Sequence, residues 1–102
     1  MSYIQIETTF KNQKDAEKIT ELLLSNKLVA CGQYYSISSL YFWQGKQHNE
    51  KEVLLKLKTQ AELYQKCEKL IKENHPYDVP QIIATEINGS EEYIGWINDE
   101  TL

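Results

Sequence analysis

From Leu28 to Thr59 the sequence reads as two strands around one turn, and both are longer than a 102-residue chain can easily cover. Ile37, Ser39, Tyr41 and Trp43 alternate with Ser38, Leu40 and Phe42, the period of two that a strand imposes. "QGKQ" (residues 44–47) supplies the turn, with Gly45 free to take a positive φ. In "EKEVLLKLKT" (residues 50–59), Val53, Leu55 and Leu57 alternate against Leu54, Lys56 and Lys58. Even with a bulge allowed near "CGQYYS", these strands exceed the usual ~5–6 residues by about twofold. The far end of such a hairpin projects from any small sheet, leaving Tyr41, Phe42 and Trp43 on open surface together with Tyr34 and Tyr35. Monomers seldom expose a patch of that kind or leave strand edges unpaired. A subunit interface is therefore expected.

The rest of the chain supplies the frame for this hairpin. "YIQIETTF" (residues 3–10) alternates as a half-buried strand, with Ile4 and Ile6 on one face and Gln5 and Glu7 on the other. Asn12 is an N-cap for a helix that carries Ala16, Ile19, Leu22 and Leu23 on one stripe. Behind the hairpin, "TQAE" at Thr59 has the form of a capping box. Leu63, Tyr64, Cys67, Leu70 and Ile71 then follow helical spacing until Pro76 ends the run. "QIIATEI" (residues 81–87) reads as a fourth strand, and Ser90 caps a short last helix through Trp96 and Ile97. The order is β-α-β-β-α-β plus a C-terminal helix: an α+β, ferredoxin-like antiparallel sheet in one domain, residues 1–102. In that topology the first and third strands are neighbours, which sets Glu7 opposite Lys56 or Lys58, as an ion pair in the simplest account.

Charge narrows the function classes. The net charge is −4, and all eleven basic residues are lysines. Without arginine the chain lacks the bidentate donors that nucleic-acid and phosphate surfaces use, so no nucleic-acid partner is expected. No apolar run is long enough for a bilayer, and "MSYIQIETTF" has no signal-peptide pattern, so the expected location is the cytoplasm, with no membrane partner. Cys31 and Cys67 lack paired spacing and read as reduced thiols, Cys67 on the helix stripe and Cys31 open as a ligand.

The densest polar constellation is "ENHPYDVPQII" (residues 73–83). Pro76 and Pro80 are accounted for by ending a helix and entering a strand, but His75, Tyr77 and Asp78 are not needed for either. His75 is placed to cap the preceding helix's carbonyls or to bind a metal. His48, in the turn region, is read as a solvated residue. His75, Tyr77, Asp78 and Lys58 also offer acid–base groups, yet no nucleophile with a base, no phosphate loop and no metal motif accompanies them. A binding protein is expected, and not an enzyme.

These stretches carry a resemblance along nearly the whole chain. "ETTF", "LVAC", "SLYFWQGK", "EVLLKLKT", "HPYDVPQI" and "YIGWI" occur in the order and spacing of the CutA divalent-cation tolerance family, with "HPYDVP" the most specific piece. The resemblance implies a compact homotrimer of ferredoxin-like subunits whose hairpins reach onto neighbours. It also implies a role in tolerance to copper and other divalent cations, and no established catalytic reaction. The trimeric architecture is similar to that of PII signalling proteins, which leaves a small-metabolite sensor as the alternative, beside a trimeric scaffold or anchor for partner proteins. The copper site described in relatives uses a first-strand cysteine and the histidine of the "HP" junction. Carried over, these positions are Glu7 and His75, with Asn74 where some members have a second histidine. Carboxylate and amide suit copper less than thiolate and imidazole. The expected cofactor is Cu(II) or another divalent cation, with no organic cofactor. The expected intersubunit cleft is lined by Tyr41, Trp43 and Tyr77 beside His75, with Glu52 and Lys58 near.

Overall fold

The computed structural model describes residues 2–102. The elements are β1 (Tyr3–Phe10), α1 (Gln13–Ser25), β2 (Cys31–Trp43), β3 (Lys46–Gln60), α2 (Tyr64–Asn74), β4 (Ile83–Ile87) and α3 (Glu91–Glu100), in the expected order. The sheet is antiparallel in the order β2-β3-β1-β4, which leaves β2 and β4 as edges.

Strand alternation decides the two faces of this sheet. Ile4, Ile6 and Phe10 of β1 and Val53, Leu55 and Leu57 of β3 bury one face against α1 and α2, which contribute Ala16, Ile19, Leu23, Cys67 and Ile71. At the start of α1, the Asn12 side chain accepts the Asp15 N–H at 2.9 Å, the cap that its position implies. Thr59 is not the cap that its motif suggests. Its hydroxyl donates to the Leu28 carbonyl at 2.6 Å, β3 runs on through Gln60, and a 3₁₀ turn (Ala61–Leu63) precedes α2. The same carbonyl takes the Cys67 thiol at 3.4 Å, so two elements far apart in sequence are tied to the α1–β2 junction.

Close approach fixes where α1 lies over the hairpin. A methyl group added at Gly32 would sit 2.5 Å from Thr20 Cγ2 and 3.2 Å from Leu57 Cδ2. Thr20 cannot turn away without giving up the bond from its hydroxyl to the Ala16 carbonyl. Gly32→Ala is expected to cost about 1–3 kcal/mol through overpacking. Urea unfolding of the variant checks this, and an unchanged midpoint would show that α1 has room to move.

The hairpin is as long as its sequence implies. β2 has 13 residues and β3 has 15, and the register runs from Cys31↔Lys58 to Trp43↔Lys46 with no bulge. Gln44 (φ 52) and Gly45 (φ 77) both take left-handed backbone, the sign pattern of a type I′ turn, which suits the twist of a tight hairpin. β1 covers β3 only as far as Phe10↔Val53, so the outer half of the hairpin stands clear of the other strands. The molecule measures 44 × 24 × 21 Å in consequence. Leu40, Phe42 and Tyr35 are 66%, 74% and 51% exposed. Tyr41 and Trp43 are also exposed, while Tyr34 packs on the core and donates its hydroxyl to Glu17 at 3.2 Å.

α3 lies across one end of the second sheet face. Tyr3 donates to Asn98 at 3.1 Å, the Gln60 amide donates to Thr101 at 2.6 Å, and the Leu102 N–H reaches the Lys27 carbonyl at 3.0 Å. No helix among the described residues is long and apolar enough to cross a membrane.

Both cysteines are free thiols, but only Cys67 is fully buried. Burial lifts the Cys67 thiol from 9.0 to about 12. The folded state thus holds that proton more tightly than the unfolded chain. This contribution to stability is complete below about pH 9 and is lost as pH rises towards 12. At pH 8 a thiol reagent is expected to leave Cys67 unmodified until the protein unfolds. Rapid labelling of both thiols in folded protein would contradict that placement.

Candidate functional site

The loop after α2 is positioned by an unfinished edge. β4 pairs with β1 only as far as Glu7↔Ile83, so Thr8, Thr9 and Phe10 have no strand on that side. The His75 ring fills part of the gap. Its Nε2 lies 2.8 Å from the Thr9 carbonyl oxygen, and its Nδ1 lies 3.1 Å from the Tyr77 backbone nitrogen. A carbonyl can only accept and a backbone N–H can only donate, so the ring is neutral with its proton on Nε2. The imidazole also stacks on Phe10, with ring centres 4.3 Å apart and an interplanar angle of 15°. Burial moves its pKa down, partly opposed by the Thr9 carbonyl. His75 therefore does not cap the α2 carbonyls. It pins the Pro-bounded loop to the end of β1.

Pinning the loop brings Tyr77 over the hairpin. Its hydroxyl donates to Glu52 Oε2 at 2.9 Å, and its ring lies 4.9 Å from His75. Burial and the Glu52 carboxylate both push the Tyr77 phenol up, so it stays a protonated donor at neutral pH. Glu52 itself is only 7% exposed, an unusual place for a carboxylate.

Between loop and hairpin lies an open-sided cavity of about 760 Å³. Its walls include Tyr41, Trp43, Glu50, Glu52, Tyr77 and Asp78. His48 is not simply solvated: it stacks on Tyr41 at 5.4 Å and sets Nδ1 3.8 Å from Glu50. Four of the expected cleft residues, Tyr41, Trp43, Glu52 and Tyr77, thus meet at one cavity. Lys58 does not join them within the protomer. It shares a sheet face with Glu52 but stands six residues further along β3, about 20 Å at the ~3.3 Å rise of a strand, and it donates to Gln33. Glu50 went unremarked in the sequence, although its even-numbered spacing from Glu52 on the same strand puts both carboxylates on one face.

The three positions carried over for copper are not brought together in the protomer. Both His75 nitrogens are engaged, and Asn74 donates its amide to the Leu70 carbonyl at 2.8 Å. Glu7 leaves the opposite face of β1 from Phe10, on which His75 stacks, and accepts from Gln5 at 3.3 Å. Glu7 does stand opposite Lys56 in the sheet, but takes part in no ion pair among the described residues. Among those residues no three of histidine, cysteine, aspartate and glutamate are grouped to hold a metal ion. The donor set does not fit a resident copper ion.

A ferredoxin-like α+β sheet with an outsized β2–β3 hairpin, against which a histidine-pinned loop closes a cavity, defines the structural class. The chain belongs to the CutA1 family: the family model described as "CutA1 divalent ion tolerance protein" matches residues 4–100. It is similar to the divalent-cation tolerance protein CutA of Pyrococcus horikoshii, with 39% identity over 99 residues that cover 96% of this chain and 97% of that one. Among solved structures, the divalent ion tolerance protein CutA1 from Ehrlichia chaffeensis superposes with a TM-score of 0.92 at 38% identity, covering 98% of this chain and 95% of that one. The periplasmic divalent cation tolerance protein CutA from Archaeoglobus fulgidus gives a TM-score of 0.93 at 31% identity, covering 96% and 97%. These relatives are named for tolerance of divalent cations and not for a reaction.

Proposed function

We propose that this protein is a non-catalytic homotrimer that takes part in divalent-cation tolerance by binding a small ligand or cation in a cleft between subunits. The observation that carries the proposal is the open-sided cavity between the projecting hairpin and the 75–80 loop. A neighbouring copy would close that side and cover Leu40 and Phe42, which touch little of their own subunit. The edge positions of β2 and β4, and the half-exposed Ile83 on β4, give further surface for such a contact. The relatives are named for tolerance and not for a reaction, which supports binding over catalysis. Two free cysteines fit a reducing compartment, which supports a cytosolic location.

Titration calorimetry with Cu(II) and Zn(II) tests the metal branch. In His75→Ala the loop loses its pin. If His75 ligates the ion from a neighbour-completed site, affinity falls by about tenfold or more. Equal affinity in wild type and variant would remove His75 as a ligand and leave the carboxylate-walled cavity as the place where cations bind.

A further inference from the structure

Glu52 has too little compensation for its burial. The residue is nine-tenths buried, yet among the described residues its carboxylate has one hydrogen-bond partner, the neutral Tyr77 hydroxyl, and none of the ion pairs there includes it. A desolvated carboxylate with one neutral donor is costly unless a cation arrives to complete it. Around it the cavity walls carry two more carboxylates, Glu50 and Asp78, against one ammonium, that of Lys11. Lys11 is exposed and makes no ion pair among the described residues, so it does not serve as the missing partner.

The remaining walls are aromatic. Tyr41 and Trp43 rise from the same face of β2, and Tyr77 faces them from the loop. Both phenols are pushed up, by desolvation first and then by the adjacent carboxylates, so neither carries a negative charge at neutral pH. They present neutral π faces instead. A bare divalent ion needs several oxygen or nitrogen donors converging on one point, and no three histidine, cysteine, aspartate or glutamate side chains are grouped in that way among the described residues. A cavity of about 760 Å³ is also the size of a small-organic site and far larger than one ion requires.

We infer that this cavity takes a small alkylammonium compound, its charged nitrogen on Glu52 and its apolar body against Tyr41, Trp43 and Tyr77. The inference rests on the reading of the cavity as a binding cleft and names the chemical class that the cleft accepts. Glu52 supplies the charge and the aromatic faces supply both desolvation and quadrupole attraction. The uncovered side admits the ligand or is closed over it by the next subunit.

The test uses the full-length protein, with ¹H–¹⁵N spectra and tryptophan fluorescence during titration. The probes are n-butylammonium, the isosteric neutral n-butanol, n-butyrate, and Zn(II). Saturable shifts at Glu52, Tyr77 and Trp43 with n-butylammonium, absent with n-butanol and n-butyrate, are the expected result. Glu52→Gln should weaken that affinity by about tenfold or more, while Tyr77→Phe, which keeps the ring and frees the carboxylate, should keep it within a few fold. Circular dichroism confirms that each variant is folded. Equal affinity in Glu52→Gln would overturn the inference. So would saturation by Zn(II) or n-butyrate but not by n-butylammonium, although the cavity would then remain a binding site of another class. If no probe shifts the wall residues of the folded protein, the inference and the underlying reading fall together.

Discussion

Phe10→Ala is expected to lower the unfolding free energy by about 3–5 kcal/mol and to release the 75–80 loop. Phe10 is fully buried at the end of β1, where its ring meets the core on one side and the His75 ring on the other. Truncation opens a cavity that the surrounding strands, fixed by their ladders, cannot collapse into. It also removes the surface against which His75 is oriented, so the bonds to the Thr9 carbonyl and from the Tyr77 N–H lose their geometry. Denaturant titration measures the first effect. Faster hydrogen exchange at the Tyr77 amide measures the second. Phe10→Leu separates them, since it restores most of the apolar volume without the stack: stability should largely return while the Tyr77 amide stays unprotected. A loss below about 1 kcal/mol in Phe10→Ala would mean that the junction of core and loop is not built as described.

The second large effect concerns assembly. Leu40→Asp combined with Phe42→Asp is expected to convert the proposed trimer to folded monomers of 12.0 kDa. These two side chains are 66% and 74% exposed and belong to no buried cluster, so their loss should leave the subunit's own stability nearly unchanged. Burial of a leucine and a phenylalanine in a contact amounts to about 3–6 kcal/mol for each subunit, and a carboxylate in their place must also be desolvated. Size-exclusion chromatography with light scattering reads the outcome. An unchanged assembly in the double variant would place the interface elsewhere on the molecule.

Much of this fold was legible because local pattern and tertiary need agree. Ile4 and Ile6 alternate as β1 requires, the α1 stripe begins at a true Asn12 cap, and the pairing of β1 with β3 sets Glu7 opposite Lys56. The failures share a cause, which is competition from residues far away in sequence. Thr59 carries a sound capping motif, but the Leu28 carbonyl claims its hydroxyl. His75 sits where a histidine can cap a helix, but the open edge at Thr9, 66 residues earlier, offers a better acceptor. No local signal announces either contact.

The candidate site shows the same division. Aromatic excess in the hairpin and surplus side chains in "HPYDVP" mark both walls of the cavity, and the Tyr77–Glu52 contact joins them. Within one protomer Lys58 stands apart from the cavity, because alternation reports which face a residue occupies and says nothing of distance along the strand. Glu7 and Asn74 entered by correspondence with relatives, and their own contacts to Gln5 and Leu70 lead elsewhere. The near-complete burial of Glu52 was invisible from the sequence, since it depends on the loop folding back over β3.

The account depends most on the hairpin being an arm that completes a neighbour. Sedimentation equilibrium of the wild-type protein at micromolar concentration tests this directly. The expected result is one species at three times the 12.0 kDa chain mass, unchanged on further dilution. A single species of 12.0 kDa would contradict it and would leave the cavity as an open groove on a monomer.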